Sequence, residues 1–132
     1  MIEAAGKSLQ CEDFGGPAEI SILLTDDEYI REMNREYRGI DRPTDVLAFS
    51  QLEGERFGPE AECLLGDVII SVERAKAQAG ERSHSLADEL DLLVIHGVLH
   101  LLGYDDETGE QASRMRQREK AILEELCHGR AA

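Results

Sequence analysis

Residues 96–106 read His-Gly-Val-Leu-His-Leu-Leu-Gly-Tyr-Asp-Asp, and this stretch organises the rest of the chain. Its two histidines, His96 and His100, stand four residues apart in an apolar run, so on a helix both imidazoles project from one face. Gly103 lies where such a helix is expected to end, and the chain then turns so that Asp106 returns toward the histidines. Two imidazoles and a carboxylate form a ligand set that zinc accepts. The stretch therefore predicts one divalent metal ion on His96, His100 and Asp106.

The spacing His-x-x-x-His-x-x-Gly-x-x-Asp is shared with the metzincin proteases, in which a third ligand follows the glycine by three residues. Gly97 marks a difference, because those proteases carry their general base, a glutamate, directly after the first histidine. A metallopeptidase-like hydrolase is therefore an alternative interpretation that lacks its usual base. In an alternative without a metal, the histidines are core residues bonded to carbonyl groups, and Asp105 and Asp106 form a solvated turn.

The composition limits the partners that the protein can have. The chain has 132 residues with 14 basic and 28 acidic side chains, which gives a net charge of −14. This charge disfavours indiscriminate binding to nucleic acid or to an anionic membrane, so an RNA substrate would need a local path or a protein partner to deliver it. The three cysteines include no C-x-x-C pair, and no signal peptide or membrane-length apolar run is present. These features predict a reduced, cytoplasmic protein.

The pattern of apolar residues and turn signals predicts an α+β fold in one domain, residues 1–132, with a tail that frays after about residue 127. Helices are expected over residues 1–11, 25–39, 71–80 and 85–102, and from 108 onward. Strands are expected over residues 19–24, 46–50 and 64–70, with a break at 15–17 and an exposed connection over 51–62. These elements predict a small mixed sheet of about three to four strands packed with about five helices.

Local signals add detail to this outline. Capping boxes that begin at Thr25 and Ser85 each predict a helix start. Gly66, inside the third strand, predicts a bulge or a close approach of another backbone. The helix that carries the histidines is apolar nearly all round, which is typical of a centrally buried helix. Imidazoles are poorly hydrated in such a place, and this favours metal ligation over unpaired rings.

Four arginines cluster around the end of the second predicted helix: Arg31, Arg35, Arg38 and Arg42. Guanidinium groups suit phosphate because their fork can bind two oxygens at once. For Arg31 and Arg35, we favour an ion-paired helix surface with the glutamates of the same helix. Arg38 differs because it enters a turn-rich loop that is followed by a buried strand. It is therefore the arginine that we expect to face the metal.

Three blocks of the chain are specific enough to indicate a family. They are Asn34-x-x-Tyr37-Arg38-x-x-Asp41-x-Pro43-Thr44-Asp45-Val46-Leu47-x-Phe49, then Leu65-Gly66-Asp67-Val68-x-Ile70-Ser71, and then His96-Gly97-x-Leu99-His100-Leu101-x-Gly103-Tyr104-Asp105. In these blocks, and over residues 18 to 125 as a whole, the chain resembles the YbeY family of bacterial endoribonucleases and rRNA maturation factors. The glycine after the first histidine separates that family from the metalloproteases.

The resemblance implies one zinc ion held by three side chains in a cleft of a small mixed sheet with surrounding helices. It implies a single-strand-specific, metal-dependent endoribonuclease that acts in 16S rRNA 3′-end maturation and ribosome quality control. The implied partners are rRNA, the small ribosomal subunit and a ribosome-associated GTPase, with no membrane and no DNA. Arg38 corresponds to an arginine that is thought functional in the family.

The chain departs from the family pattern in two places. The third ligand of the family is usually a histidine, whereas Asp106 stands at that position here. A carboxylate is an acceptable zinc ligand, but it makes the site one charge less positive and admits harder metals such as manganese or magnesium. The strand that usually precedes the first helix is also missing, so we expect either a sheet that is one strand shorter or a sequence that begins after that strand.

The sequence therefore predicts a hydrolase in which the metal polarises a phosphate oxygen or delivers a hydroxide. Arg38 would stabilise the charge that develops on the phosphate, while Asp105 would orient a ligand or compete with Asp106 for the metal. The general base is not assigned. Besides the metallopeptidase-like hydrolase, a non-enzymatic ribosome assembly factor with a structural metal is an alternative interpretation.

Overall fold

The computed structural model describes residues 1–14, 18–50 and 63–130. These residues form five helices and three strands, with the bounds α1 Ile2–Cys11, β1 Ala18–Thr25, α2 Asp27–Arg38, β2 Val46–Ser50, β3 Cys63–Ser71, α3 Val72–Glu81, α4 Leu86–Leu101 and α5 Gly109–Arg130. The predicted α+β class and the predicted order of elements are confirmed. The break expected at 15–17 and the connection expected over 51–62 lie outside the described residues. Helix α5 runs to Arg130, and fraying of the tail stays a prediction.

The sheet is mixed, as predicted, and its strand order is β1-β3-β2. Strand β3 lies in the centre, parallel to β1 and antiparallel to β2. The parallel pair needs a long crossover, and helix α2 with strand β2 lies within that crossover. The carboxyl end of β3 leads directly into α3, and the amino end of β2 follows the loop after α2.

Gly66 combines the two features that were predicted for it. The register shifts at this point, because Glu19 pairs with Leu64 whereas Ile20 pairs with Gly66, so that Leu65 bulges out of the ladder. The backbone φ angle of Gly66 is +150°, and a Cβ atom there would lie 2.1 Å from the carbonyl oxygen of Phe49 on β2. Only glycine allows β2 to approach β3 this closely.

Helix α4 forms the centre of the hydrophobic core. Its apolar residues contact β3 on one side and helices α1, α3 and α5 on the others, and those that are at most 4% exposed are Leu93, Val94, Ile95, Val98, Leu99 and Leu101. Full burial of such a side chain contributes about 1.5–3 kcal/mol. The prediction of a centrally buried helix is thus confirmed, and α4 is a rigid support for the side chains that it carries.

Polar caps fix where the helices begin. The hydroxyl of Ser85 accepts a hydrogen bond from the Asp88 amide (3.1 Å), as the capping sequence predicts. At the start of α2, Asp26 caps the helix rather than Thr25, because Thr25 remains in the sheet, paired with Ser71. The predicted position of that cap is therefore wrong by one residue. In the described part of the chain, we find no helix with the length and apolar character that a membrane crossing requires.

Candidate metal centre

Helix α4 presents His96 and His100 on the same face, as their spacing predicts. Their Nε2 atoms lie 3.1 Å apart, and the two rings meet edge to face with centroids 4.7 Å apart. Each side chain keeps 28% of its surface exposed, so both rings stand on a buried helix but reach an opening. Two nitrogen lone pairs that converge in this way are a ready pair of metal ligands.

The end of α4 turns the chain back toward these rings. The amide of Gly103 donates to the His100 carbonyl (3.0 Å), and the amide of Tyr104 donates to the Leu99 carbonyl (3.0 Å). These two bonds form a Schellman motif, which requires a left-handed residue after the helix, and Gly103 has a φ angle of +104°. The glycine thus ends the helix as predicted and sends the following residues back across its last turn.

Tyr104 anchors the returning segment to two other helices. Its hydroxyl donates to Glu12 (2.7 Å), and Glu12 also accepts a hydrogen bond from Arg118 on α5 (2.6 Å). The hydrogen bond to Glu12, together with burial, raises the pKa of Tyr104 above its ordinary value. This three-residue cluster was not predicted, because its members are far apart in sequence and meet only through the packing of α1 and α5. It fixes the loop that carries Asp106.

Asp106 completes a group of three with the histidines. Its Oδ2 atom lies 3.9 Å from Nε2 of His100, and the three prospective ligand atoms of His96, His100 and Asp106 all lie within 4.8 Å of one another. Asp105 is used differently, since its Oδ1 accepts the Asp106 amide (2.8 Å) and so holds the turn. The structure therefore brings together the three side chains that were predicted to converge.

Glu119, on α5, was not predicted as a site residue. Its carboxylate is 14% exposed and contacts Nδ1 of His96. A carboxylate at this nitrogen holds the proton on Nδ1 and leaves the Nε2 lone pair directed at His100 and Asp106. One sequence signal was available: Glu119 lies four residues after Met115 and three before Ile122, two fully buried residues of the same helix face. An acid on an apolar stripe indicates a buried polar contact.

The two imidazoles differ in basicity. Burial alone would lower the pKa of His96, but the hydrogen bond to Glu119 and the charges of Glu119, Asp45 and Asp106 outweigh it and raise that pKa above its ordinary value. The pKa of His100 is lowered by burial and by the neighbouring charge of His96. His96 is therefore the more basic of the two rings in the metal-free protein.

Gly97 is required by packing. A Cβ atom at this position would lie 2.7 Å from Cγ1 and 3.0 Å from Cγ2 of Val68 on β3. No side chain fits between α4 and β3 here, so the glutamate of the metalloproteases is excluded by the sheet. Glu119 does not replace it, because its carboxylate contacts the Nδ1 side of His96 and is not part of the three-ligand group.

Arg38 lines the same cleft as the three prospective ligands. The cleft has a volume of about 320 Å³, with β2 and Thr44 on one side and His96, His100 and Asp106 on the other. Arg38 is the last residue of α2 and is exposed, and no hydrogen bond or ion pair connects it to the described residues. With respect to the described residues, its guanidinium can therefore bind an anion in the cleft, and its role there stays a prediction.

Arg31 shows the contrasting case on the same helix. Its Nε donates to Asp41 Oδ1 (2.8 Å) and its Nη2 to Asp41 Oδ2 (3.3 Å), a two-bond pairing. The ion-paired interpretation of Arg31 is thus confirmed, but the partner is Asp41 in the following loop rather than a glutamate of α2. The same hydrogen bond lowers the pKa of Asp41.

Asp45 is a second acid of the cleft that was not predicted as a site residue. Its Oδ1 accepts the Val46 amide (2.7 Å) and the Thr44 hydroxyl (3.3 Å), and its Oδ2 accepts the Gln78 side chain (3.2 Å). These bonds fix the carboxylate at the start of β2, where it lines the cleft beside His96. Asp45 lies in the first motif block, but only the packing of β2 beside α4 brings it to the histidines.

Comparisons with known proteins agree with this architecture. A family model described as Endoribonuclease YbeY matches residues 1–127. A protein of that name from Pelotomaculum thermopropionicum is 49% identical over 127 residues, covering 96% of this chain and 84% of the relative. Another, from Bacillus cereus, is 47% identical over 133 residues, covering 97% and 85%. The solution structure of a Thermotoga maritima protein matches with a TM-score of 0.60 at 28% identity, covering 95% of this chain and 80% of that one.

Proposed function

The chain belongs to the YbeY endoribonuclease family, and from this premise we propose that His96, His100 and Asp106 hold the divalent metal with which it cleaves RNA. The family resemblance that was read from the three motif blocks is confirmed, and the protein is an endoribonuclease, that is, a hydrolase. The observation that supports the assignment of the site is the convergence of three ligand atoms within 4.8 Å on a cleft that Arg38 also lines.

The donor set fits a divalent cation. In a tetrahedral site with bonds of about 2.0–2.2 Å, neighbouring ligand atoms lie about 3.4 Å apart. The observed separations, 3.1 Å between the two Nε2 atoms and 3.9 Å from His100 to Asp106, fall on either side of that value. Glu119 keeps the His96 lone pair directed into the group, the usual arrangement of a ligating histidine. We expect the site to bind zinc, and the carboxylate ligand allows it to bind manganese as well.

The charge of the cleft also supports a cation. Among the described residues, the two cavities that meet at His96 are lined by five carboxylates and three arginines; the carboxylates are those of Asp45, Asp105, Asp106, Glu107 and Glu119. Such a surface repels a phosphodiester until positive charge is added. A divalent ion would supply that charge, and with it the Lewis acidity that polarises a phosphate oxygen and acidifies a water molecule.

The residues of the chain then have separate tasks. Arg38 binds the non-bridging phosphate oxygens and stabilises the charge that grows on them. Glu119 orients His96, and the hydrogen-bonded Asp45 stabilises positive charge beside it. The loop anchored by Tyr104 holds Asp106 in place. Glu119, Asp45 and the loop of Asp106 are held by hydrogen bonds before substrate arrives, which lowers the cost of reaching the productive geometry.

The two alternative functions are less well supported. A structural metal is usually enclosed by four protein ligands, whereas the three groups here border a cleft of about 320 Å³. A peptidase needs a carboxylate at the position of Gly97, where Val68 leaves no space.

As substrate we propose the 3′ end of 16S rRNA, delivered by the small ribosomal subunit and a ribosome-associated GTPase in the cytoplasm. The net charge of −14 makes such delivery useful, because free RNA is repelled by most of the surface.

The test combines metal analysis with an RNA cleavage assay. Wild type should contain close to one equivalent of metal and should cleave a single-stranded RNA, and His100→Ala should lose both. Arg114→Ala, an exposed change on α5, is the matched control, and it should keep both properties and so exclude a contaminating nuclease. Wild-type protein that is loaded with metal but leaves RNA intact would refute the proposal.

A further inference from the structure

A second cavity, of about 300 Å³, adjoins the cleft that holds Arg38. The two cavities share Asp45, His96 and Asp106 in their walls, so they meet at the candidate metal centre. The first extends from there toward β2 and the end of α2, and the second extends between α4 and α5. A strand of RNA whose phosphate lies at the meeting point would therefore have a cavity on each side.

The second cavity differs from the first in chemistry. Its floor is apolar and is made by Leu92 and Leu93 of α4 and by Ala112 and Met115 of α5. Among the described residues, its lining also holds two cations, Arg82 and Arg116, beside the three carboxylates at the metal centre. A phosphate alone gains nothing from an apolar floor, whereas a flat aromatic ring gains from both the floor and the guanidinium planes.

The two arginines are held differently. Nη1 of Arg82 donates to both carboxylate oxygens of Glu89 (2.8 and 2.9 Å), and Glu89 is fully buried, so the guanidinium has a fixed position. No hydrogen bond or ion pair connects Arg116 to the described residues, and it is exposed on α5. Arg82 thus provides a surface held by two hydrogen bonds, and Arg116 provides an exposed cation at the same cavity.

We propose that this cavity binds the base of the nucleotide next to the cleaved phosphate, with Arg116 on the phosphate of that nucleotide. The proposal rests on the proposed function, because it takes RNA as the substrate. The volume is at the lower end of the range of about 300–1,000 Å³ for small-molecule pockets, which suits one nucleoside. A base can enter only if it is unstacked and unpaired, so the cavity selects single-stranded RNA by physical access.

The first measurement compares two probes that differ only in the base. Adenosine 5′-monophosphate and ribose 5-phosphate are titrated into the metal-loaded protein, and both can place their phosphate at the metal centre. Base stacking on protein side chains is worth about 1–3 kcal/mol, so the nucleotide should bind about tenfold more tightly or better. Equal affinities, or no measurable binding of either probe, would overturn the proposal.

Three variants locate the effect. Ala112→Leu fills the floor of the cavity and should abolish the tenfold preference while it leaves the metal content unchanged. Ala121→Leu makes the same change on α5 outside both cavities and should keep the preference. Arg116→Ala should weaken the binding of both probes by the same factor. A preference that survives in Ala112→Leu would place the base elsewhere and overturn the proposal.

Cleavage provides the last check and separates this proposal from the proposed function. An abasic residue next to the cleaved bond of a single-stranded oligoribonucleotide should raise the KM of wild type about tenfold, and the KM of Ala112→Leu hardly at all. Cleavage without any dependence on the neighbouring base would refute the base site and leave the proposed function intact. A base preference in binding without RNA cleavage would refute the proposed function and leave the cavity as a nucleotide site.

Discussion

Helix α4 carries a cluster of ionisable side chains at each end, and the negative charge of the two clusters is balanced differently. Near its amino end, the fully buried carboxylate of Glu89 is neutralised by Arg82 at 2.8 Å, with His84 3.5 Å away. Near its carboxyl end, His96 and His100 meet Asp106 and Glu119, and among the described residues no arginine or lysine forms an ion pair with either acid. In the first cluster, Arg82 balances the charge of Glu89. The second cluster, in contrast, can bind a metal cation.

This difference separates a structural use of charge from a functional one. Breaking a pair between a buried acid and an arginine of the same chain is costly, because the acid is left as an uncompensated buried charge. A group of acids and imidazoles that lacks a cation gains most when an ion binds. We therefore expect substitutions in the first cluster to change stability and substitutions in the second to change metal binding and cleavage.

The largest effect should come from His96→Ala. Loss of one of three ligands should remove the metal and lower the rate of RNA cleavage about a thousandfold or more, while the free energy of unfolding of the metal-free protein changes little. Metal analysis, a cleavage assay and urea denaturation measure the three quantities. A large loss of stability in the metal-free variant would show that both clusters are structural.

Arg82→Met should lower stability and leave metal binding unchanged, the opposite of His96→Ala. It leaves the buried carboxylate of Glu89 without its partner, and we expect a loss of about 3 kcal/mol in the free energy of unfolding. The metal content should equal that of wild type. Thermal or urea denaturation with parallel metal analysis tests this, and a loss of metal at unchanged stability would reverse the assignment of the two clusters.

Glu119→Gln keeps the size of the side chain but removes the charge beside His96. Metal affinity should fall by about 10- to 100-fold, the usual cost of losing a carboxylate behind a ligating histidine. The pKa of His96 in the metal-free protein should also fall, because the negative charge of Glu119 that raises it is lost, although the amide oxygen can still accept from Nδ1. Metal titration and NMR titration of the histidine ring measure both effects, and an unchanged pKa would contradict the contact.

The smallest effect should be that of Arg38→Ala, with Arg31→Ala as its control. Arg38 lines the cleft, so its removal should lower cleavage about tenfold, whereas metal content and stability stay unchanged. Arg31 is already paired with Asp41 at 2.8 Å, and its removal should leave cleavage at the wild-type level. Equal cleavage in the two variants would mean that Arg38 has no role at the phosphate.

The sequence predicted those parts of the structure that depend on local spacing. His96 and His100 share a helix face because of their separation, and the turn at Gly103 directs the chain with Asp106 back toward them. Glu119 and Asp45 were missed because their positions depend on how α5 and β2 pack beside α4. The cap of α2 was placed at Thr25 rather than Asp26 because strand pairing, which the capping pattern does not contain, keeps Thr25 in the sheet.

The close contact of Gly97 with Val68 has a consequence for the evolution of this scaffold. Placing a glutamate after His96 would bring a Cβ atom within 2.7 Å of Val68, so a single substitution toward a peptidase would damage the core before any new activity appeared. Val68 would have to become smaller first, a step that costs stability by itself. A change at Val68 must therefore precede a change at Gly97. The buried contact between α4 and β3 thus hinders conversion of this hydrolase into a peptidase.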